Sequence, residues 1–108
     1  MVRVDQNNNP VQEAQEFQSG ETVGAVAEFV SIPQEIPMNY IWLKFLGDRV
    51  QPVSNPTPFT VKPEFTGKHA VVTIGTRGAQ PGDYGFVIYV QGSGDQIQAV
   101  AIGKFRIR

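Results

Sequence analysis

The segment from residue 81 to residue 90 constrains the fold more than any other part of the chain, because a turn leads there directly into an apolar strand. Its sequence is Pro81-Gly82-Asp83-Tyr84-Gly85-Phe86-Val87-Ile88-Tyr89-Val90. Proline, glycine and aspartate favour tight turns, and the aromatic and β-branched residues that follow favour strands. Successive side chains of a strand point to opposite faces, so this strand is apolar on both. The segment therefore predicts a β-sandwich.

Strand-forming segments recur along the chain at the spacing of about 8–12 residues that is typical of sandwiches and barrels. Clusters of glycine, proline, serine and asparagine separate them, and no ten-residue window has the periodicity of an amphipathic helix. The candidate strands are 11–17, 22–30, 39–46, 49–53, 58–62, 69–75, 83–91 and 96–108. We predict an all-β fold, an antiparallel sandwich of seven to eight strands.

Composition excludes several classes of function. The chain has 108 residues, which suits one domain, and it contains no cysteine. A disulfide framework, a thiol nucleophile and a cysteine-ligated metal are therefore excluded. The net charge of −1 creates no field that would attract nucleic acid, so no nucleic-acid partner is predicted. No apolar run approaches the roughly 20 residues of a membrane span, so no membrane insertion is predicted.

Two local patterns resemble a known family. Tyr40-Ile41-Trp42-Leu43-Lys44-Phe45, with Gly47-Asp48-Arg49-Val50 after it, is similar to the third strand of immunoglobulin-like domains, where a buried tryptophan precedes a short turn. Gly82-Asp83-Tyr84-Gly85-Phe86 resembles the tyrosine corner of those domains. The resemblance covers about residues 17–108. This part of the chain resembles in particular the immunoglobulin-like or fibronectin III-like accessory modules of bacterial exported proteins.

The resemblance implies an immunoglobulin-like sandwich over 17–108 and structural roles for Trp42 and Tyr84. It also implies that the module acts as a spacer or adhesive unit. Residues 1–16 are rich in glutamine and asparagine, which predicts a linker-like segment with one possible strand. An extracytoplasmic or cell-surface location, as part of a longer chain, is expected, and a cytoplasmic location stays open.

Strand alternation sorts the side chains into two faces. If Trp42 and Tyr84 point inward, the predicted inner set is Val23, Ala25, Ala27, Phe29, Tyr40, Trp42, Tyr84, Phe86, Ile88, Val90, Ile97, Ala99, Ala101, Phe105 and Ile107. The outer face of the third, sixth and seventh strands of that topology then carries seven apolar side chains: Ile41, Leu43, Phe45, Val87, Tyr89, Val100 and Ile102. Such a face on an antiparallel sheet is normally polar, and seven apolar residues exceed what monomers usually leave exposed. We predict a protein interface there.

The residues that could perform chemistry are few. His69 is the only histidine, and a structural or solvent-facing role is favoured. Asp48, Asp83 and Asp95 lie in predicted turns, where weak calcium binding stays open but turn formation is favoured. Lys104, Arg106 and Arg108 alternate on one face of the last strand, as on a solvated edge. We predict no catalytic residue, no metal site and no cofactor.

The predicted function is that of a non-enzymatic structural or protein-binding module in a larger, exported assembly. The expected partner is a protein, either a second copy of the chain or a neighbouring domain. One alternative is a carbohydrate-binding module, in which a different register exposes Tyr40 and Trp42 as a platform for sugar rings and buries Ile41, Leu43 and Phe45. Another is a viral or phage structural domain.

Overall fold

The computed structural model describes residues 1–7, 9–91 and 97–108, and no helix longer than one short 3₁₀ turn occurs in these residues. The strands are β1 (Val2–Val4), β2 (Pro10–Glu13), β3 (Glu16–Phe17), β4 (Thr22–Glu28), β5 (Ile36–Leu46), β6 (Arg49–Pro52), β7 (Thr57–Val61), β8 (His69–Gly75), β9 (Gly82–Gln91) and β10 (Ile97–Ile107), and the 3₁₀ turn is Pro63–Phe65. The all-β prediction is confirmed.

Two sheets pack as a sandwich. The smaller sheet has the strand order β2-β1-β4-β8, and the larger one has the order β3-β10-β9-β5-β6, with β7 paired to a different part of β5. The described pairings are antiparallel except for that of β3 with β10, which is parallel. The predicted turn at 92–94 and the candidate calcium residue Asp95 lie outside the described residues.

The predicted strand positions agree with the structure in most places. The prediction for 69–75 matches β8 at both ends. The predicted strand 11–17 is instead two strands, because β2 belongs to the smaller sheet and β3 to the larger one. The chain therefore changes sheets between residues 13 and 16, a crossing that alternation of apolar and polar residues does not reveal. β5 begins at Ile36 because its first half pairs with β7.

The N-terminal segment adds two strands to the smaller sheet. β1 lies between β2 and β4, and the Val2 side chain is only 7% exposed. Gly24 of β4 faces this strand, and a Cβ atom there would come within 2.8 Å of the Val4 Cγ1 atom and 2.9 Å of the Val2 Cγ2 atom. Because glycine leaves that space empty, both valines can pack directly on β4.

Large and small side chains are divided between the two sheets. The larger sheet supplies the aromatic residues of the core, and the smaller sheet faces them with aliphatic residues such as Val23, Ala25, Val72 and Ile74. Interior packing is as dense as in organic crystals, so bulky residues on one layer require small ones opposite. The core residues are Phe17, Val23, Ala25, Trp42, Tyr84, Phe86, Ile88, Phe105 and Ile107. All of them except Phe17 belong to the predicted inner set.

A β-bulge in β10 makes one assignment in the predicted inner set wrong. Ala99 pairs with Tyr89 and Ala101 pairs with Ile88, so Val100 is an extra residue between them. Paired residues share a face, and Ala99 therefore lies on the outer face with Tyr89 rather than on the inner face with Ile88. Ala101 faces inward but is exposed. The side chain of Ile97 lies outside the described residues.

Glu21 connects three parts of the N-terminal region. Its carboxylate accepts hydrogen bonds from the Arg3 side chain at 3.1 Å and from the backbone N–H of Gln18 at 2.6 Å. Arg3 also donates to the carbonyl of Glu16 at 3.0 Å, and its guanidinium lies 5.1 Å from the centre of the Phe17 ring. The Gln18 N–H lowers the pKa of Glu21 most, and Arg3 lowers it further.

The lowered pKa of Glu21 predicts a dependence of stability on pH. A carboxylate whose pKa is lower in the folded protein stabilises it above the unfolded-state pKa of about 4.3, and this contribution disappears as the pH falls through the folded-state value. Glu21→Gln should therefore flatten the loss of stability below about pH 4.3 relative to wild type. Urea unfolding at several pH values measures this difference, and equal acid-side slopes for the two proteins would contradict it.

Candidate binding surface

The outer face of the larger sheet brings the predicted interface residues together. Ile41 of β5 pairs with Val87 of β9, which in turn pairs with Ile102 of β10. These three side chains consequently form one apolar row across three adjacent strands. Leu43 and Phe45 continue along β5 on the same face, and Tyr89 continues along β9.

The seven predicted residues differ widely in exposure. Val87 is 9% exposed and Tyr89 8%, although no partner covers them. β9 is the middle strand, so side chains of β5 and β10 flank both residues. Ile102 is 59% exposed, and Val100 at the bulge is 48% exposed. Ile41, Leu43 and Phe45 are half-buried.

Val50 of β6 is an accessible residue of this face that the sequence prediction omits. It pairs with Phe45 and is 55% exposed. The prediction considered only the third, sixth and seventh strands, whereas the structure places β6 beside β5 on the same sheet. The short turn at Gly47-Asp48, which joins β5 to β6, is the sequence feature that indicates this pairing.

Phe45 depends on a glycine of the neighbouring strand for its position. A Cβ atom on Gly85 would lie 2.8 Å from the Phe45 Cε2 atom and 3.0 Å from its Cζ atom, so the ring lies against the bare backbone of β9. The Lys104 Nζ atom is 5.7 Å from the centre of the same ring. One side of Phe45 is thus covered, and its other side continues the apolar surface.

Paired charges border this face at one end. The Arg106 side chain donates to Asp83 at 3.1 Å, and Arg108 forms an ion pair with Glu16. Together with Lys104, these groups place carboxylates and cations next to one another on β9, β10 and β3. The predicted stripe of three cations on the last strand is therefore neutralised in part by neighbouring strands.

Trp42 and Tyr84 lie between the sheets. Trp42 is 3% exposed, and its ring packs on Phe86 with centroids 4.7 Å apart. Tyr84 is 5% exposed, and its hydroxyl donates to the carbonyl of Gln80 at 2.6 Å, within the connection that precedes β9. The register that exposes Trp42 as a sugar platform is therefore not the one adopted.

The described residues contain no group of three or more histidine, aspartate or glutamate side chains that could hold a metal ion. His69 is exposed at the start of β8, opposite Glu28 in the β4 register. Asp48 is exposed in the turn between β5 and β6. The prediction of a turn at Asp83 is wrong, because Asp83 lies in β9, where it pairs with Arg106 of β10.

Comparisons of the chain with protein-family models, with curated proteins and with solved structures give no significant match. Within the described residues, no helix has the length and apolar character needed to cross a membrane.

Tyr84→Phe should lower the free energy of unfolding by about 1 kcal/mol, the net value of one ordinary hydrogen bond. The change removes only the hydroxyl that binds Gln80 and keeps the buried ring. Equilibrium unfolding in urea measures the difference. Tyr40→Phe is a suitable control, because no described residue hydrogen-bonds to that hydroxyl, and an unchanged midpoint for Tyr84→Phe would count against the predicted role.

Trp42→Ala should cost about 3–5 kcal/mol, because it removes a large ring from the centre of the core. The ring contacts both Phe86 and Phe105, with centroid distances of 4.7 and 6.0 Å. Thermal and urea unfolding give the loss, and a value below about 1 kcal/mol would indicate that the ring is not packed between the sheets.

Proposed function

We propose that this protein is a non-enzymatic structural or protein-binding module of a larger, exported assembly. Its binding surface is the outer face of the larger sheet, comprising Ile41, Leu43, Phe45, Val50, Val87, Tyr89, Val100 and Ile102. The exposure of the aliphatic side chains of this surface is the observation that carries the proposal, with Ile102 at 59%, Val50 at 55% and Val100 at 48%. Contiguous apolar surface of this kind marks an interaction site.

The character of the surface favours a protein over a carbohydrate. Its most exposed side chains, Val50, Val100 and Ile102, are aliphatic, whereas sugar rings stack on flat aromatic faces. Tyr40 and Trp42, the residues of the alternative platform, belong to the inner side of β5. Tyr89 is on the outer face but is only 8% exposed.

A second copy of the chain is the partner that fits the surface best. The apolar centre requires an apolar counterpart, which an identical face supplies. The charged border carries both Asp83 and Arg106, so a copy of it can present a charge opposite in sign to each. A twofold contact of this kind should bury about 1,000 Å² or more in total.

The double variant Val100→Lys with Ile102→Lys should be a folded monomer under conditions in which the wild type forms dimers. Both side chains are about half exposed or more, at 48% and 59%, so the lysines reach solvent without entering the core. In the dimer they would place like charges in an apolar contact, which is strongly unfavourable. Analytical ultracentrifugation over a wide concentration range measures the association.

Val11→Lys combined with Val30→Lys is the matched control, since the two side chains are 62% and 80% exposed, lie outside the strands of the larger sheet, and the changes add the same charge of two lysines. It should leave the dimer intact. A wild type that stays monomeric at every concentration would contradict the second copy as partner. Equal dissociation of the control would show that net charge, rather than this surface, governs the association.

A further inference from the structure

β8 is an edge strand with one side unpaired. It lies at the end of the smaller sheet and is hydrogen-bonded to β4 along its whole length, from Gly75 opposite Thr22 to His69 opposite Glu28. In the part of the chain that the structure describes, no other strand pairs with it. An edge of this kind presents a row of backbone donors and acceptors to any extended chain.

The hydrogen bonds at the two ends of this pairing show which groups are free. The Phe29 N–H donates to the carbonyl of Lys68 at 3.0 Å, and the Thr76 N–H donates to the carbonyl of Glu21 at 3.3 Å. Hydrogen-bonded pairs alternate with non-hydrogen-bonded pairs along an antiparallel ladder. The even-numbered residues of β8 therefore bind β4, and the N–H and C=O groups of Val71 and Thr73 point away from it.

Other edges of the sandwich carry features that discourage strand addition, and β8 does not. β2 contains Pro10 and Glu13, and β6 contains Arg49 and Pro52. β7 contains Pro58, and β3 has only two residues. Because β3 pairs only with Arg106 and Ile107, residues 97–105 of β10 also lack a described neighbour on that side, but this edge carries the bulge at Val100 and the charge of Lys104. In contrast, residues 70–75 of β8 have the sequence Ala-Val-Val-Thr-Ile-Gly, without a charge, a proline or a bulge. Charges, prolines, bulges and short length are the usual means of blocking an edge, so β8 is the least protected edge among the described strands.

An apolar cleft lies beside the end of β8. It has a volume of about 260 Å³ and is lined on one side by Ile74 and residues 75–79, and on the other by Trp42, Val53, Tyr84, Phe105 and Ile107. Ile74 faces the core. On a strand added next to β8, the residue opposite Ile74 would point the same way and reach this cleft. The position suits an apolar side chain.

Two cations flank the open edge. Lys68 precedes β8 and Arg77 follows it, both exposed, and neither forms an ion pair with a described residue. If β8 paired with itself about Val72, residue 68 would lie opposite residue 76 of the second copy. Each end of the ladder would then carry two cations, Lys68 of one copy and Arg77 of the other. This accumulation of like charge disfavours a second copy in that register, whereas a segment with carboxylates near its ends complements both cations.

We infer that β8 is a docking strand for an extended segment of another protein, which adds as a fifth strand to the smaller sheet. The segment binds through the free backbone groups of Val71 and Thr73, places an apolar side chain in the cleft beside Ile74, and bears acidic residues toward Lys68 and Arg77. Main-chain hydrogen bonds supply affinity in this mode of recognition, and the alternating side chains supply specificity. This surface is separate from the outer face of the larger sheet.

A synthetic nine-residue peptide tests the inference. It alternates threonine with leucine or valine and has glutamate at both ends, and its control has lysine at both ends. Fluorescence anisotropy should show saturable binding of the acidic peptide and at least about tenfold weaker binding of the control, which corresponds to roughly 1.4 kcal/mol. In the complex, amide hydrogen exchange at Val71 and Thr73 should slow, because these N–H groups become hydrogen-bonded.

Thr73→Pro removes one of the outward N–H groups and leaves the bonds to β4 in place, so it should weaken peptide binding at least about tenfold. Thr73→Val is the matched control, since it keeps the N–H and should bind like the wild type. If Thr73→Pro does not fold, the exchange experiment on the wild type decides. Unchanged exchange at Val71 and Thr73, or equal binding by Thr73→Pro, would overturn the inference.

Two further outcomes separate this surface from its alternatives. The Val100→Lys and Ile102→Lys double variant should bind the acidic peptide as the wild type does, and loss of binding there would assign the peptide to the outer face instead. A wild-type dimer that Thr73→Pro dissociates would make a second copy the occupant of β8 and would overturn the acidic segment. With a monomeric wild type, peptide binding would still support the β8 inference even though the proposed dimer had failed.

Discussion

Seven aromatic side chains on the inner face of one sheet form the contact network on which the rest of the sandwich depends. Ring centroids 4.7–6.0 Å apart connect Phe59 to Tyr40, Tyr40 to Phe86, Phe86 to Trp42 and Trp42 to Phe105, which in turn contacts Tyr84 and Phe17. Sheets in a sandwich pack about 10 Å apart, so a layer of rings on one side leaves room for only small residues on the other. Alanine and valine on β4, with valine and isoleucine on β8, meet that requirement.

The same network accounts for the character of both candidate surfaces. Because the bulky inward side chains belong to β5, β9 and β10, the alternate positions of these strands face outward, and Ile41, Val87 and Ile102 make the middle of that face apolar. On the opposite layer, β8 supplies Val72 and Ile74 to the core, and no described strand lies beyond it. The space between the two sheets is therefore filled at the centre of the sandwich, whereas a cleft next to Trp42 lies beside the unpaired side of β8.

Much of this organisation follows from local patterns. Short strand-forming segments separated by glycine and proline locate β4, β6, β8 and β9 to within a few residues. Period-two alternation groups Trp42 and Tyr84 with the other core residues, but it does not choose which of the two faces lies inside. Assigning side chains to faces by alternation fails where a strand contains an extra residue. The bulge at Val100 adds one residue to β10, and Ala99 consequently changes faces. No local feature of this alanine- and valine-rich stretch indicates the bulge.

The sequence by itself determined the class of the fold, the grouping of its large aromatic residues on one face of their strands and the apolar character of the opposite face, because each depends on the residue types within one strand. Only the tertiary structure decided which strands are neighbours. It placed β3 parallel to β10 and added Val50 to the outer face. It buried Val87 and Tyr89 among flanking strands and left β8 paired with β4 alone among the described strands. The physical reason is that the exposure of a residue and the position of a strand at a sheet edge depend on pairing between strands that are distant in the sequence.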